Sequence, residues 1–327
     1  MEQSEGIVLR CATGAYDVQV GDEVLTCRLR GNLKKELVYS TSGSRPQRVN
    51  RTRRLTARKA VVVGDRVRVS FTGNREGVIE EVLPRSSSFS RLGFRGQAHT
   101  IVSNIDLLVI VFACAEPRPD LWKLDRFLVT AHLSGLEALV VANKVDLVGE
   151  DGARAAFGEH LDAGYSVVLA SARTLDGVEQ LRVRLAGRVS AFVGPSGAGK
   201  SSLLNALDPN LRRATQAIGG VTFKGRHTTV AAELLPFAFG GWVADTPGLR
   251  QLDLPPADRS EVRDAFPELR ALDRTCRFDD CRHDSEPGCA VKELVECGRL
   301  SERRYRSFLT LAEEAHARLS AASQAQK

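Results

Sequence analysis

Gly194-Pro195-Ser196-Gly197-Ala198-Gly199-Lys200-Ser201 is a G-x-x-x-x-G-K-S stretch. It follows the apolar run 189–193 and leads into residues 202–207, Ser-Leu-Leu-Asn-Ala-Leu. A strand, a glycine-rich turn and an amphipathic helix in that order are the context in which this motif cradles a polyphosphate. Glycines let the backbone wrap closely around phosphate oxygens, and the start of the helix adds unpaired N–H groups and the positive end of its dipole. The stretch therefore predicts a phosphate loop, with Lys200 reaching the β- and γ-phosphates and Ser201 holding Mg²⁺.

The tetrapeptide Asn143-Lys144-Val145-Asp146 follows the predicted buried strand 136–142 and indicates which base is bound. Its aspartate is a bidentate acceptor for the N1–H and 2-amino groups of guanine, while Lys144 lies along the ring and Asn143 braces the site. Adenine would leave the buried carboxylate unpaired, and a site built on paired hydrogen bonds strongly rejects a ligand that lacks them. Guanine nucleotides, GTP and GDP, are therefore the predicted ligands.

The order of the nucleotide-binding segments is unusual. The base-reading segment 143–146 and the turn Ser171-Ala172-Arg173, which is predicted to close over the base, both precede the phosphate loop at residue 194. A segment ending in G-R-H-T-T at residues 225–229 and then D-T-P-G at residues 245–248 follow it. In most GTPases the phosphate loop comes first, so this order predicts a circularly permuted domain.

The D-T-P-G segment predicts a second set of contacts with the nucleotide. Its Asp245 holds Mg²⁺ through water, and the N–H of Gly248 senses the γ-phosphate. Because the chain is permuted, this sensing loop leads out of its domain through Pro255 and Pro256 into the last segment, to which the nucleotide state can be passed directly. The nucleotide-binding residues predicted from all these segments are Asn143, Lys144, Asp146, Ser171, Ala172, Gly194, Pro195, Ser196, Gly197, Ala198, Gly199, Lys200, Ser201, Ser202, Asp245 and Gly248.

Composition bounds the class of protein. The chain has 327 residues, of which 43% are apolar and 26% charged, as in ordinary soluble proteins of several domains. The most apolar run, residues 107–115, is only strand-sized, so no membrane association is predicted. Residues 1–5 lack the basic region and apolar core of a secretion signal, which predicts a cytoplasmic protein. In that reducing compartment the seven cysteines are not expected to form disulfides, and clustered cysteines suggest a metal.

The N-terminal part is basic and predicted to be all β. Residues 1–91 contain 17 Lys and Arg and 10 Asp and Glu, a balance of +7, whereas the whole chain carries +6. Five short runs with one apolar face predict a small closed barrel, for which we favour an OB-fold because that barrel commonly presents loops to oligonucleotides. These runs are residues 7–11, 16–20, 24–30, 61–71 and 78–83.

A long loop of this barrel is strongly basic. Residues 40–59 contain seven Lys and Arg and no acidic residue. Contact with phosphates of a nucleic acid is the favoured interpretation, because a loop this long in a compact domain tends to be functional. The alternative is a merely solvated surface.

Near the C-terminus, Cys276-x₄-Cys281-x-His283-x₅-Cys289 predicts a metal site. Three thiolates and one imidazole fill the tetrahedral shell of one Zn²⁺ and leave no position for a substrate, so the site should be structural. The alternative is a set of free buried cysteines beside an unrelated surface histidine. Cys297 lies nearby as a possible substitute ligand.

With these motifs in order, nearly the whole chain resembles the small-ribosomal-subunit-dependent, circularly permuted GTPases known as RsgA or YjeQ. The resemblance rests on the basic barrel, on N-K-x-D, S-A, G-P-S-G-A-G-K-S, G-R-H-T-T and D-T-P-G in that order, and on C-x₄-C-x-H-x₅-C. It implies a late-acting assembly factor that binds the small ribosomal subunit and its rRNA, and whose GTP hydrolysis the subunit stimulates. It also implies that Thr229 is the switch threonine on Mg²⁺ and the γ-phosphate, and that His227 is a catalytic histidine.

The expected fold is a multidomain α/β protein: an N-terminal OB-fold β-barrel, a central circularly permuted P-loop GTPase and a C-terminal, mainly helical zinc-binding domain. The expected boundaries are 1–85 for the RNA- and ribosome-binding barrel, 86–103 for a linker, 104–252 for the GTPase domain and 253–327 for the zinc-binding domain with its C-terminal helix. The expected cofactors are GTP or GDP, Mg²⁺ and one Zn²⁺, and we expect a monomer.

The residue after D-T-P-G bears on catalysis. Many GTPases place a glutamine there to orient the attacking water, but this chain has Leu249, which cannot. His227, two residues before Thr229, is the nearest candidate to position the water; the alternative is an exposed loop histidine without a catalytic role. The expected catalytic residues are thus His227, Lys200 and Thr229, and the expected Mg²⁺ ligands are Ser201, Thr229 and Asp245.

Two other functions stay open at this point. The first is a nucleotide-gated protein that binds or tethers rRNA and in which hydrolysis is incidental. The second, a P-loop kinase or ATPase, is disfavoured by Asp146.

Overall fold

The structure is a computed structural model that describes residues 3–12, 14–31, 35–39, 49–54, 61–92, 98–211, 232–245, 253–272 and 276–325. The chain divides into two compact units. The first consists of Met1–Asp106, Gly187–Ser190 and Gln216–Gly248, and the second of Leu107–Ala186, Ala191–Thr215 and Leu249–Lys327.

The strands in the described residues are β1 (Gln3–Ala12), β2 (Ala15–Val20), β3 (Glu23–Leu29), β4 (Lys35–Tyr39), β5 (Val49–Arg54), β6 (Arg66–Gly73), β7 (Glu76–Val82), β8 (Ser88–Leu92), β9 (Ala98–Ser103), β10 (Leu107–Ala113), β11 (Glu137–Asn143), β12 (Val167–Leu169), β13 (Val189–Val193), β14 (Glu233–Pro236) and β15 (Trp242–Asp245). The helices there are α1 (Leu121–Leu133), α2 (Gly149–Asp162), α3 (Val178–Leu185), α4 (Lys200–Leu207), α5 (Arg259–Asp264), α6 (Pro267–Arg270), α7 (Ala290–Glu296) and α8 (Glu302–Ala325). Over these ranges, no helix combines the length and the apolar character needed to cross a membrane.

Five strands of the first unit close into a barrel. Their order is β1-β2-β3-β7-β6, and β6 pairs back with β1. β3 and β7 run parallel, and the other neighbours run antiparallel. Side chains alternate between the two faces of a strand, so every second residue points into the barrel, where Val18, Leu25 and Ile79 form part of a buried core. The OB-like barrel expected from the alternating apolar pattern is confirmed.

The predicted strand 61–71 is shorter in the structure, because the backbone turns before β6. The carboxylate of Asp65 is buried at this turn and accepts hydrogen bonds from the Val62 N–H at 2.8 Å and the Ser103 hydroxyl at 2.6 Å. The Arg85 guanidinium donates to both of its oxygens, at 2.6 and 2.8 Å. A buried carboxylate needs such partners, and satisfying them bends the chain out of the strand.

The first unit also contains two hairpins and the antiparallel pair β14-β15. β4 and β5 pair antiparallel, so the stretch 40–59, for which a loop was predicted, contains a strand at 49–54; residues 40–48 and 55–60 lie outside the described part. Within the segment 86–103, for which a linker was predicted, the chain forms the antiparallel hairpin β8-β9.

The second unit contains the strands β12, β11 and β10 and the last three residues of β13, neighbours in that order in one sheet. β10, β11 and β12 run parallel, and all seven residues of β10 are buried, as in a sheet with both faces covered. Ligands of such sheets bind beyond the carboxyl ends of the strands. The predicted base-reading segment directly follows β11 and the phosphate loop directly follows β13, so both loops begin where a strand of this sheet ends.

The C-terminal helices α5 to α8 share one apolar core with α1. Phe266 and Phe308 meet edge to face at its centre, with ring centroids 5.7 Å apart, and Leu254 and Val129 also contribute. Apolar burial of this kind is the main source of stability for short helices.

A buried ionic network attaches α8 to α1 and α2. Asp125 of α1 accepts from Arg303 at 2.7 Å and from Arg304 at 2.5 Å, and its other contact is the ring of His160 on α2 at 2.7 Å. Arg304 is only 1% exposed and also binds Glu268 at 2.7 Å. Burial alone would raise the pKa of Asp125, but the hydrogen bond with His160 and the charges of the two arginines lower it to about 2. Asp125 therefore stays ionised at neutral pH, and removing an arginine that pairs with it would leave buried charge unpaired.

Candidate nucleotide site and metal centre

The phosphate loop is shaped by glycines that have no room for a side chain. Gly194 and Gly199 have φ values of 137° and 89°, a region that favours glycine. A Cβ on Gly194 would lie 2.1 Å from the Val111 carbonyl oxygen, and one on Gly199 would lie 2.4 Å from Nδ2 of Asn143. The loop backbone is therefore held directly against β10 and the end of β11.

The residues of this loop occupy the positions that phosphate binding requires. Lys200 opens α4, and its Nζ donates to the carbonyl oxygens of Gly194 and Pro195, both at 2.8 Å, so the amine lies over the loop. Ser201 is exposed on the first turn of α4. Since the first N–H groups of a helix have no intrahelical partner, this end of α4 suits an anion. Ser196, Gly197 and Ser202 are also exposed, whereas Ala198 is buried.

One side chain joins the phosphate loop to the base-reading turn. Asn143 is 1% exposed; its Nδ2 donates to the Ala198 carbonyl at 2.9 Å, and its Oδ1 accepts from the Ala172 N–H at 3.3 Å. An amide donates from its nitrogen to the first loop and accepts at its oxygen from the second, whereas an ionised carboxylate of the same size could only accept. The structure thus brings together the three segments that the sequence predicts for base and phosphate binding.

The carboxylate of Asp146 is fixed from its buried side. The Ser171 hydroxyl donates to its Oδ1 at 2.5 Å and accepts from the N–H groups of Arg173, at 3.2 Å, and Thr174, at 3.1 Å. The Asp146 side chain is 7% exposed. An oriented, almost buried acceptor of this kind suits the paired N–H donors of guanine.

Two further contacts at this site carry no signal in the sequence. The Arg173 Nη2 lies 2.6 Å from Oδ2 of Asp146, and Lys144 donates from Nζ to the Glu116 carbonyl. Lys144 adopts φ 65°, which turns the chain sharply after β11. Arg173 follows the S-A pair directly, but nothing in that motif indicates its partner.

Several predicted site residues lie outside the described part of the chain. These are His227, Thr229 and Gly248, together with Leu249. Asp245 is the last residue of β15, and its side chain is likewise outside the description. Their roles stay predictions.

The four predicted zinc ligands lie together in the C-terminal region. Their ligand atoms are all within 4.8 Å of one another. Nδ1 of His283 lies 3.4 Å from Sγ of Cys276 and 3.5 Å from Sγ of Cys289, and the two sulfurs are 4.0 Å apart. Tetrahedral bonds of zinc length place sulfurs about 3.8 Å apart and sulfur and nitrogen about 3.6 Å apart. The donor set fits a closed Zn²⁺ shell.

The surroundings orient the histidine of this cluster. The Tyr305 hydroxyl donates to the His283 carbonyl at 2.6 Å, and the Phe308 ring lies 5.8 Å from the imidazole. Burial and the nearby charge of Arg263 lower the pKa of His283, so the ring is neutral at neutral pH, as a metal ligand must be. The sequence spacing indicates the four ligands but not that Nδ1 is the nitrogen facing the thiols.

A parallel sheet with a phosphate loop, a guanine-type base loop and an inverted order of these loops defines a circularly permuted P-loop GTPase. The comparisons give the family: this chain belongs to the RsgA GTPase family, whose signature matches residues 82–255. It is a GTPase and uses a guanine nucleotide with Mg²⁺.

Similar proteins extend over nearly the whole chain. One is the small ribosomal subunit biogenesis GTPase RsgA of Moorella thermoacetica, 40% identical over 96% of this chain and 98% of the relative. The RsgA of Gemmatimonas aurantiaca is also 40% identical, over 94% and 96%. Among solved structures, YjeQ from Thermotoga maritima superimposes with a TM-score of 0.73 at 32% identity, covering 96% of this chain and 99% of that one. YloQ, a circularly permuted GTPase, gives 0.71 at 28% identity, covering 97% and 96%.

The role assigned to Asp146 predicts that replacing this residue changes which base is bound. Asp146→Asn should lower the affinity for GDP by roughly tenfold or more, because a charge-assisted pair of hydrogen bonds is lost. It should favour xanthosine diphosphate, whose 2-oxo group accepts from the new amide. Equilibrium titration with both nucleotides measures this, and Asp151→Asn, exposed on the first turn of α2, is the matched control. An unchanged GDP affinity in Asp146→Asn would contradict the assignment of Asp146 as the acceptor for guanine.

Proposed function

We propose that this protein hydrolyses GTP during late maturation of the small ribosomal subunit, that it binds that subunit, and that the subunit stimulates hydrolysis. Binding of a guanine nucleotide is supported chiefly by the hydrogen bonds of the Asn143 side chain with Ala198 and Ala172, which join the phosphate loop to the base-reading turn. The role in maturation of the small ribosomal subunit is supported by relatives named small ribosomal subunit biogenesis GTPases, which match this chain over nearly their full length.

In this proposal each part of the nucleotide site has a separate role. Asp146 and Lys144 bind and orient the base, and the loop backbone with Lys200 binds the phosphates and offsets the charge that develops in phosphoryl transfer. Ser201, with Thr229 and Asp245 as assigned from sequence, would hold Mg²⁺, which neutralises phosphate charge. Because Leu249 cannot hydrogen-bond to water, we assign the positioning of the attacking water to His227.

The barrel is proposed to contact rRNA. Arg51, Arg53 and Arg54 belong to β5, which lies within the acid-free basic stretch 40–59, and such clusters bind phosphates by displacing counterions. The proposed domains are 1–85 for this module, 86–103 for a linker that forms the hairpin β8-β9, 104–252 for the GTPase domain and 253–327 for the zinc-binding domain. We further propose that the protein works as a monomer in the cytoplasm.

The C-terminal domain is proposed to hold one structural Zn²⁺. Cys276, Cys281, Cys289 and Nδ1 of His283 would be its four ligands, as their mutual distances support. A filled shell leaves no open position, so the ion would contribute folding energy and no reaction step.

The zinc assignment predicts a metal content and a local effect of mutation. Metal analysis of the purified protein should give about one Zn²⁺ per chain. Cys281→Ser should release the metal and expose the C-terminal helices to protease while GDP affinity changes little. Cys297→Ser is the control, since this thiol is exposed, donates to the Leu294 carbonyl and is not part of the four-residue cluster. Metal-free wild type that is fully folded would refute the site.

The proposed reaction predicts how turnover responds to the subunit. GTP hydrolysis by the isolated protein should be slow and should rise by at least about tenfold with purified small subunits, because positioning the water acts on turnover. His227→Ala should keep nucleotide affinity and subunit binding but lose most of the stimulated rate. His132→Ala, exposed near the end of α1, is the control.

Three outcomes of this assay would contradict parts of the proposal. Equal turnover with and without subunits would favour the tethering alternative, in which hydrolysis is incidental. Full stimulation of His227→Ala would show that another protein group or the RNA places the water. Hydrolysis of ATP as fast as GTP would contradict the guanine assignment itself.

A further inference from the structure

Both oxygens of the Asp146 carboxylate already have partners within the protein. The Ser171 hydroxyl donates to Oδ1 at 2.5 Å from the buried side, and Ser171 is fully buried. The Arg173 guanidinium lies 2.6 Å from Oδ2, and its side chain is 72% exposed whereas that of Asp146 is 7% exposed. Arg173 therefore covers the side of the carboxylate that faces solvent.

A guanine base needs the same side of this carboxylate. Its N1–H and 2-amino groups donate in parallel to the two oxygens, as the two arms of an arginine do. Ser171 need not leave, because Oδ1 has a second lone pair and the hydroxyl approaches from the interior. Arg173 approaches from solvent, which is also the direction from which a base arrives.

The exchange requires only a side-chain rotation, because the backbone of the turn is held in place. The N–H of Arg173 donates to the Ser171 hydroxyl at 3.2 Å, and the Ala172 N–H donates to Oδ1 of Asn143 at 3.3 Å. The Leu175 N–H donates a hydrogen bond of 2.9 Å to the Ser171 carbonyl and so closes the turn. Exposed side chains change rotamer within nanoseconds, so the guanidinium can leave and return without the loop moving.

We propose that Arg173 is an internal competitor for guanine at Asp146 and thereby lowers the nucleotide affinity of this GTPase. The inference rests on the proposed guanine site. Without nucleotide, Arg173 pairs with the Asp146 carboxylate, compensates its charge and orients it. When a nucleotide binds, the base displaces the guanidinium, and when the nucleotide leaves, Arg173 pairs with the carboxylate again. The pair is largely solvent-exposed on the arginine side, so the competition weakens binding by only about two- to fivefold.

The first test measures nucleotide affinity by equilibrium titration of the full chain. Arg173→Gln should bind GDP about two- to fivefold more tightly than wild type. Arg173→Lys, which keeps a cation able to pair with Asp146, should stay close to wild type. Arg154→Gln is the matched control, since Arg154 is an exposed arginine paired with Glu150 at 2.7 Å and should have no effect. Equal or weaker GDP binding by Arg173→Gln would overturn the proposal, because Arg173 would then be neutral or would bind the base itself.

A double-mutant cycle tests whether the effect passes through Asp146. In the Asp146→Asn background, measured with xanthosine diphosphate, Arg173 has no carboxylate to pair with, so Arg173→Gln should change affinity by less than about 1.5-fold. A gain as large as in the wild-type background would place the action of Arg173 elsewhere and contradict the proposal.

These measurements separate this inference from the proposed function. If wild type fails to prefer GDP over ADP, the guanine site itself is wrong. If wild type prefers GDP and Asp146→Asn prefers xanthosine diphosphate, but Arg173→Gln gains no affinity, the site stands and only the competitor role fails.

Discussion

The side-chain amide of Asn143 is the contact on which the nucleotide site depends. It stands at the end of β11, donates to the phosphate loop at Ala198 and accepts from the base-reading turn at Ala172. Gly199 is glycine because the same amide leaves no room for a Cβ there. The phosphate loop therefore has its shape partly because a base-reading residue lies against it, and the two recognition functions cannot be positioned independently.

The permuted order of the chain does not disturb this junction, because hydrogen bonds depend on where loops meet and not on their sequence order. What permutation changes is the exit from the domain. After the D-T-P-G segment the described chain resumes at residue 253, and Leu254 is already part of the helical core that contains α8. Arg303 and Arg304 then fix α8 to Asp125 of α1 through buried charge pairs. The C-terminal helices that pack beside the Cys-His cluster are thus bonded firmly to α1.

The sequence predicts those features that rest on short, strict spacing. G-x-x-x-x-G-K-S, N-K-x-D and the Cys-His spacing each lie within one loop, so their residues are close in space whatever the rest of the fold does. The alternating pattern of the barrel also suffices, because inward and outward positions in a strand are set by its period of two. The contacts that the sequence does not predict join distant segments: Asp65 with Arg85 and Ser103, Lys144 with Glu116, and Arg304 with Asp125. Arg173 is different, because its partner is set by a side-chain rotamer that no motif encodes.

The central claim is that one amide couples phosphate binding to base reading, and hydrogen exchange of Asn143→Ala tests it most directly. Loss of the amide leaves the Ala198 carbonyl and the Ala172 N–H without this partner, so exchange should speed up together in residues 171–176 and 194–200, while α1 and the barrel strands keep their wild-type rates. Asn205→Ala, exposed on α4, should leave both loops unchanged. Faster exchange in only one of the two loops, or in neither, would contradict the account.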